Sequence, residues 1–328
     1  MQDDMIPPHR HIDADSVSDA VAVLSEYGRR AVVIAGNTDE MEWMKNRSRA
    51  PEVVVDLKEI DELSGVSDDG SGLRIGALTT LTDVIRDETV QDHFPILAEA
   101  SEAVATPQIR NQGTIGGNLA QDSRCWYYRE DFDCYRAGGN TCYAATSDAR
   151  EHAVTDYTQC ITANPSDVAP ALIALDASVV IEGPSGERTQ SVQNFFVGPE
   201  TNITVMNTLS RREILKEIVI PGTWRDATSY YEKVRDRGAW DFALVNIAVT
   251  LAESGNSVSD SRIVSNGVAP VPKRLRGAEN AINGRSLSSS RIEAAGDAAL
   301  PNAEPYETNE YKIPLTRNLV RRGLEEAA

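Results

Sequence analysis

Residues 30–45, RAVVIAGNTDEMEWMK, decide the fold. Arg30 to Ala35 is a short β-branched strand that empties into Gly36-Asn37-Thr38-Asp39, and a helix starts over Met41 to Lys45. Upstream, Ser16 to Tyr27 places Val17, Ala20, Val21, Val23 and Leu24 near helical spacing, with Ser16 as the N-cap. Downstream, Glu52 to Leu57 (EVVVDL) is a second strand. Helix, strand, glycine turn, helix, strand make a small α/β unit. A turn of this kind exposes several backbone N–H groups and adds the positive end of a helix, so a phosphate can sit there. Taken alone, an ordinary strand–helix connection explains it better.

The mixed pattern continues through a strand at 72–76, helices at about 82–86 and 96–104, and a helix running into a strand over Ala171 to Ile181. Pro184-Ser185-Gly186 is read as a hairpin turn. Ile214 to Ile220 is another strand, closed by Pro221-Gly222, the best domain boundary. Beyond it, Ser229 to Val234, Ala243 to Leu251 and Ser261 to Val268 read as three strands with tight connections. Helices follow at about 291–300 and 315–326, with a polar surface connection over Pro301 to Thr308. No internal repeat or low-complexity tract is present.

The chain has 328 residues, which favours two domains, and 41% apolar residues suffice for a core at that length. With 32 basic and 50 acidic side chains the net charge is −18, which repels nucleic-acid backbones and anionic lipid. Six lysines stand against 26 arginines, and an acid-rich, lysine-poor surface predicts adaptation to high salt. No apolar run reaches the ~18 residues of a membrane span. Met1-Gln2-Asp3-Asp4 puts acids where a signal peptide carries basic residues, so the chain reads as cytoplasmic.

A second glycine-rich stretch, Gly113-Thr114-Ile115-Gly116-Gly117-Asn118, lets backbone approach a ligand closely. It is neither a P-loop nor the dinucleotide fingerprint, and Gly70, Gly72 and Gly76 have the wrong spacing and read as structural. All four cysteines, Cys125, Cys134, Cys142 and Cys160, lie within 36 residues. In a reducing compartment such clustering favours a metal or iron–sulfur site over disulfides. Four thiolates suffice for a [4Fe-4S] cluster or a tetrahedral zinc, and the absence of C-x2-C matches neither zinc knuckles nor bacterial ferredoxins. The intervening aromatics and glycines suit a loop wrapped around a cluster. His9, His11, His93 and His152 are scattered, and His152, in Arg150-Glu151-His152, reads as a surface residue.

Together, Ala35-Gly36-Asn37-Thr38-Asp39, Thr114-Ile115-Gly116-Gly117-Asn118 and Ser166-Asp167-Val168-Ala169-Pro170 resemble the FAD-binding medium subunits of molybdenum hydroxylases, the xanthine dehydrogenase and carbon monoxide dehydrogenase groups. Glu213-Ile214-Leu215, Tyr231-Glu232-Lys233-Val234 and Asp241-Phe242-Ala243-Leu244 extend the likeness over nearly the whole chain. The resemblance implies an α+β fold: a two-subdomain FAD-binding domain of PCMH type at 1–222, then a smaller α+β domain at 223–328 with a three-stranded antiparallel sheet. It also implies that Val33, Ile34, Ala35, Gly36, Asn37, Thr38, Asp39 and Glu40, with Thr114, Ile115, Gly116, Gly117 and Asn118, hold the FAD pyrophosphate through backbone donors. Val104 would lie near the flavin, and Asp167, Leu215 and Lys233 match other FAD-contacting positions. A cysteine insertion, here about 121–163, is similar to that of 4-hydroxybenzoyl-CoA reductase, which carries an extra [4Fe-4S] cluster. Cys125, Cys142 and Cys160 match three of its ligand sites. Cys134 departs from the pattern, because the remaining ligand would fall near Arg150, and is expected to take over that coordination as the fourth ligand.

The expected function is that of an FAD-carrying electron-transfer subunit. Its partners would be a large molybdenum-cofactor subunit and a small subunit with two [2Fe-2S] clusters, and an outside carrier such as a ferredoxin would complete the chain. No side chain is required as a catalytic acid or base. A stand-alone NAD(P)H-dependent flavin oxidoreductase and a zinc-stabilised assembly module without flavin are the alternatives.

Overall fold

The computed structural model describes residues 6–327, so the acidic Met1–Asp4 segment lies outside the described residues. Strand β1 (Arg10–Asp13), helix α1 (Val17–Tyr27), β2 (Ala31–Ile34), α2 (Glu40–Lys45) and β3 (Val53–Asp56) build a parallel three-stranded sheet in the order β1-β3-β2. Ser16 caps α1 by accepting from the Asp19 N–H at 3.1 Å, and Val17, Ala20, Val21 and Leu24 turn inward. All four residues of β3 are buried, as the centre of a parallel sheet requires.

Next come β4 (Val66–Asp68), β5 (Gly72–Gly76), α3 (Leu81–Arg86), α4 (Glu88–His93), α5 (Pro95–Glu102), α6 (Pro107–Arg110) and α7 (Ile115–Ala120). The cysteine-bearing loop holds two single turns, α8 (Trp126–Arg129) and α9 (Tyr143–Thr146). It leads to the wholly buried α10 (Val168–Ala174). Strands β6 (Ser178–Gly183) and β7 (Gly186–Ser191) form the expected hairpin, and α11 (Val192–Phe195) precedes β8 (Ile214–Pro221). These strands make a five-stranded antiparallel sheet, β4-β5-β8-β6-β7, over the largest core. Gly72 and Gly76 are structural here, since an added Cβ would meet Ile220 O at 2.3 Å and Leu63 O at 2.2 Å.

The C-terminal part carries β9 (Thr228–Val234), β10 (Val245–Ser254), β11 (Ser257–Asn266) and the two-residue β12 (Lys273–Arg274), antiparallel in the order β12-β11-β10-β9. The three long strands are those expected; β12 adds a short edge. Helices α12 (Arg276–Ile282), α13 (Ser289–Asp297) and α14 (Lys312–Glu326) follow, the first unforeseen. One expectation is corrected. The β10–β11 turn is tight, but β9 and β10 are joined by ten residues, 235–244, which leave the sheet and reach the groove described next. Side chains of α10, Ala248 of β10 and Val264 of β11 share one core, so the two parts are packed together through apolar contact.

Candidate functional site

The end of β2, the turn before α2 and the start of α7 line one side of a groove of about 1000 Å³. Residues 204–207, 209–211 and 213–215, and Trp240, Asp241 and Phe242 of the long β9–β10 loop, also line it. The two glycine turns lie side by side, because a Cβ on Gly36 would fall 1.8 Å from Gln112 O, the residue before Gly113. Asn37 takes the left-handed conformation (φ 56°) that swings the chain away from β2. Gly116 packs flat on the groove floor, where a Cβ would meet Ala77 Cβ at 2.7 Å and Leu215 Cδ2 at 2.8 Å.

The two turns differ in what they offer a ligand. Among the described residues, the N–H groups of Gly36, Asn37, Thr38 and Asp39 have no acceptor within the protein. In the second turn, the N–H of Ile115 bonds Thr79 O, Gly116 bonds Ala77 O, Gly117 bonds Thr114 Oγ1 and Asn118 bonds Thr114 O. That leaves the Thr114 N–H and the Asn118 amide, whose Oδ1 already accepts from Ser166 Oγ at 2.8 Å. The first turn therefore supplies the free donors an anion needs, and the second supplies close backbone approach. Asn37 Oδ1 and Glu40 Oε1 are buried beside the groove without a donor, which suits a ligand that also carries hydroxyls. An FAD, with a pyrophosphate between two polyhydroxylated arms, fits this set.

Val33, Ile34, Ala35, Gly36, Asn37, Thr38, Asp39, Glu40, Val104, Thr114, Gly116, Gly117, Asn118, Asp167 and Leu215 all line the groove. Ile115 does not; its side chain is fully buried in the main core. Lys233 does not line the groove but lies behind its wall, its side chain 2% exposed. Its Nζ donates to Asp167 Oδ2 (2.6 Å), Ala103 O (3.0 Å) and Asp241 O (2.8 Å). One ammonium thus pins three segments of the wall. Asn246 Nδ2 donates to the other Asp167 oxygen at 3.2 Å. Burial pushes the Asp167 carboxyl above the usual carboxylate range, while Lys233 and Asn246 pull it back.

The four cysteines meet in a second, smaller cavity walled by Tyr127, Tyr128, Tyr135 and Tyr143. Arg150 is exposed, whereas Cys134 faces the same space as the other three sulfurs. Burial pushes the Cys125 thiol up to about 12, and the other three sulfurs add to that rise; burial also raises Cys160. A cation bound among them would reverse this preference and hold them as thiolates. Among the described residues, three or more metal-ligating side chains come within 4.8 Å of one another only at His11, Asp13 and Asp56. No three of the four sulfurs therefore lie within 4.8 Å of one another, whereas Zn–S bonds of about 2.3 Å imply edges of ~3.8 Å in a tetrahedral zinc site. Cys134 and Cys160 are buried and Cys125 and Cys142 half-buried around this one cavity.

The reading of His152 as a surface residue is corrected: it is 4% exposed and lines the cysteine cavity, with Nε2 3.3 Å from Cys125 Sγ. Burial, with Lys312 nearby, pushes the imidazole down to about 4. A second group without a sequence signal joins the two sites. Arg129 donates to Asp39 and Glu42 at 2.7 Å each, and Arg49 to Glu40 (2.7 Å) and Asp122 (2.6 Å). Both guanidinium groups lie over the Trp43 ring, at 4.4 and 4.3 Å. Arg136 reaches Asp122 at 2.6 Å. The turn before α2 and the cysteine loop are therefore cross-linked by charge-assisted bonds.

Residues 8–223 match the family described as FAD binding domain in molybdopterin dehydrogenase, and 229–327 match the CO dehydrogenase flavoprotein C-terminal domain. The chain is 33% identical to the carbon monoxide dehydrogenase medium chain of Hydrogenophaga pseudoflava, covering 98% of both chains. It is 32% identical to the aldehyde oxidoreductase FAD-binding subunit of Escherichia coli (strain K12), over 90% of this chain and 91% of that one. Among solved structures, carbon monoxide dehydrogenase from Hydrogenophaga pseudoflava matches with a TM-score of 0.78 at 32% identity, again over 98% of each chain. No helix among the described residues is long and apolar enough to cross a membrane.

Proposed function

Since the chain belongs to the FAD-binding medium subunits of the molybdenum hydroxylase family, we propose that it is the electron-transfer flavoprotein of a heteromeric oxidoreductase. Residues 1–222 would hold the flavin and 223–328 would close one wall of its groove. A large molybdenum-cofactor subunit and a small subunit with two [2Fe-2S] clusters would complete the complex, where substrate chemistry takes place on the large chain. The observation that carries this reading is the groove with two abutting glycine turns, one of them presenting four N–H groups without an acceptor among the described residues.

FAD would supply exchange of one electron at a time as well as two. The chain's own part is to bind and orient it. Gly36 to Asp39 would face the pyrophosphate, with Asn37 and Glu40 accepting from hydroxyls. The Lys233–Asp167 pair would fix the wall formed by Val104, Asp167 and Asp241. Cys125, Cys134, Cys142 and Cys160 would hold a [4Fe-4S] cluster that extends electron transfer toward an outside carrier. That no three of the sulfurs lie within 4.8 Å of one another supports that larger group over a single zinc.

The experiment is anaerobic reduction of the bound flavin. Reduction is expected from the molybdenum and [2Fe-2S] partners plus their substrate, and not from NADH acting on the isolated chain. Rapid flavin bleaching by NADH alone would replace this reading with the stand-alone oxidoreductase.

A further inference from the structure

His152 has no part in the reading above, yet among the described residues it is the one imidazole lining the cysteine cavity. Its position is built. Asn309, fully buried on the connection leading to α14, donates through Nδ2 to the carbonyls of Ala149 (3.1 Å), His152 (3.3 Å) and Ala153 (3.2 Å). Thr308 Oγ1 accepts from the Ala149 N–H at 3.0 Å, and the His152 N–H returns to Ala149 O at 2.8 Å. This clamp presents Nε2 to Cys125 Sγ at 3.3 Å and leaves Nδ1 buried with no partner. A neutral imidazole has one N–H; placed on Nε2 it has a sulfur to meet, and placed on Nδ1 it has nothing.

We propose that His152 donates its Nε2–H to the Cys125 sulfur and thereby raises the reduction potential of the metal centre those cysteines hold. The inference rests on the cluster reading above and adds a specific tuning residue to it. Reduction places negative charge partly on the ligating sulfurs, so an N–H dipole aimed at one of them stabilises the reduced form. His152 is a positioning residue in this scheme, bonding to a ligand rather than to iron.

The test compares the full chain, prepared anaerobically, with His152→Phe, which keeps a ring but has no donor, and His152→Gln, which restores an N–H. Iron and sulfide are assayed in each, and the potential is read by EPR-monitored titration. His152→Phe is expected to lower the potential by about 59 mV, a tenfold shift in the one-electron equilibrium, with His152→Gln recovering most of it. An iron-loaded His152→Phe with the wild-type potential overturns the inference and leaves the cluster reading standing. Wild-type protein without iron and sulfide overturns both. If His152→Phe fails to hold iron, the hyperfine coupling of 15N-labelled histidine in the wild type decides. A weak coupling supports the hydrogen bond; a strong one, marking direct ligation, or none at all, overturns it.

Discussion

Lys233 donates to three oxygens from three separate stretches of chain, and its partner Asp167 is 3% exposed. Breaking a buried pair on one side leaves an uncompensated charge, at a cost of about 3–5 kcal/mol. Lys233→Met should therefore lower the unfolding transition and release flavin during gel filtration, while Lys233→Met combined with Asp167→Asn should regain part of the stability. A single variant as stable as the wild type would show that the pair carries no weight. This arrangement was only half legible. The Tyr-Glu-Lys-Val pattern marked Lys233, but its acceptors lie 8, 66 and 130 residues away, beyond any local pattern. His152 was hidden for the same reason: charged neighbours at Arg150 and Glu151 suggest a surface, and the clamp on its backbone comes from Asn309, 157 residues on.

At the scale of elements, α2 and the cysteine loop are joined by Arg129, whose guanidinium bridges Asp39 and Glu42 beside Trp43. Its acids are partly hydrated, so Arg129→Met should cost about 1–3 kcal/mol. Because the bridge starts at Asp39, in the donor-rich turn, the same change should weaken FAD binding several-fold in a fluorescence titration. It should also speed loss of iron to a chelator. Unchanged flavin affinity together with unchanged iron loss would show that the two sites are independent. The glycine turn and α1 were readable because their signals are local: β-branched residues before a glycine, and a serine cap before apolar residues at helical spacing. β1 was not, since Arg10-His11-Ile12-Asp13 has one apolar residue in four and becomes a strand by pairing with β3. The ten-residue β9–β10 loop was missed because Ala243 and Leu244 run on into the apolar β10 and disguise its start.

Across the whole molecule, a net charge of −18 opposes compaction, and the six lysines contribute little against it. The Debye length falls from ~10 Å at 0.1 M salt to ~3 Å at 1 M, so added salt should relieve the repulsion. The unfolding midpoint is expected to rise steadily between 0.1 and 2 M KCl; a flat or falling midpoint would remove the case for high-salt adaptation. The same acidity disfavours polyanions as partners. In the proposed reading the groove and the cysteine cavity hold a flavin and an added metal centre, joined by the ionic contacts of Arg129 and Arg49. The most direct test is an anaerobic visible spectrum of the full chain purified at high salt, with flavin, iron and sulfide analysis. The account predicts about one FAD with about four iron and about four sulfide per chain. A colourless protein containing stoichiometric zinc and no flavin would contradict it.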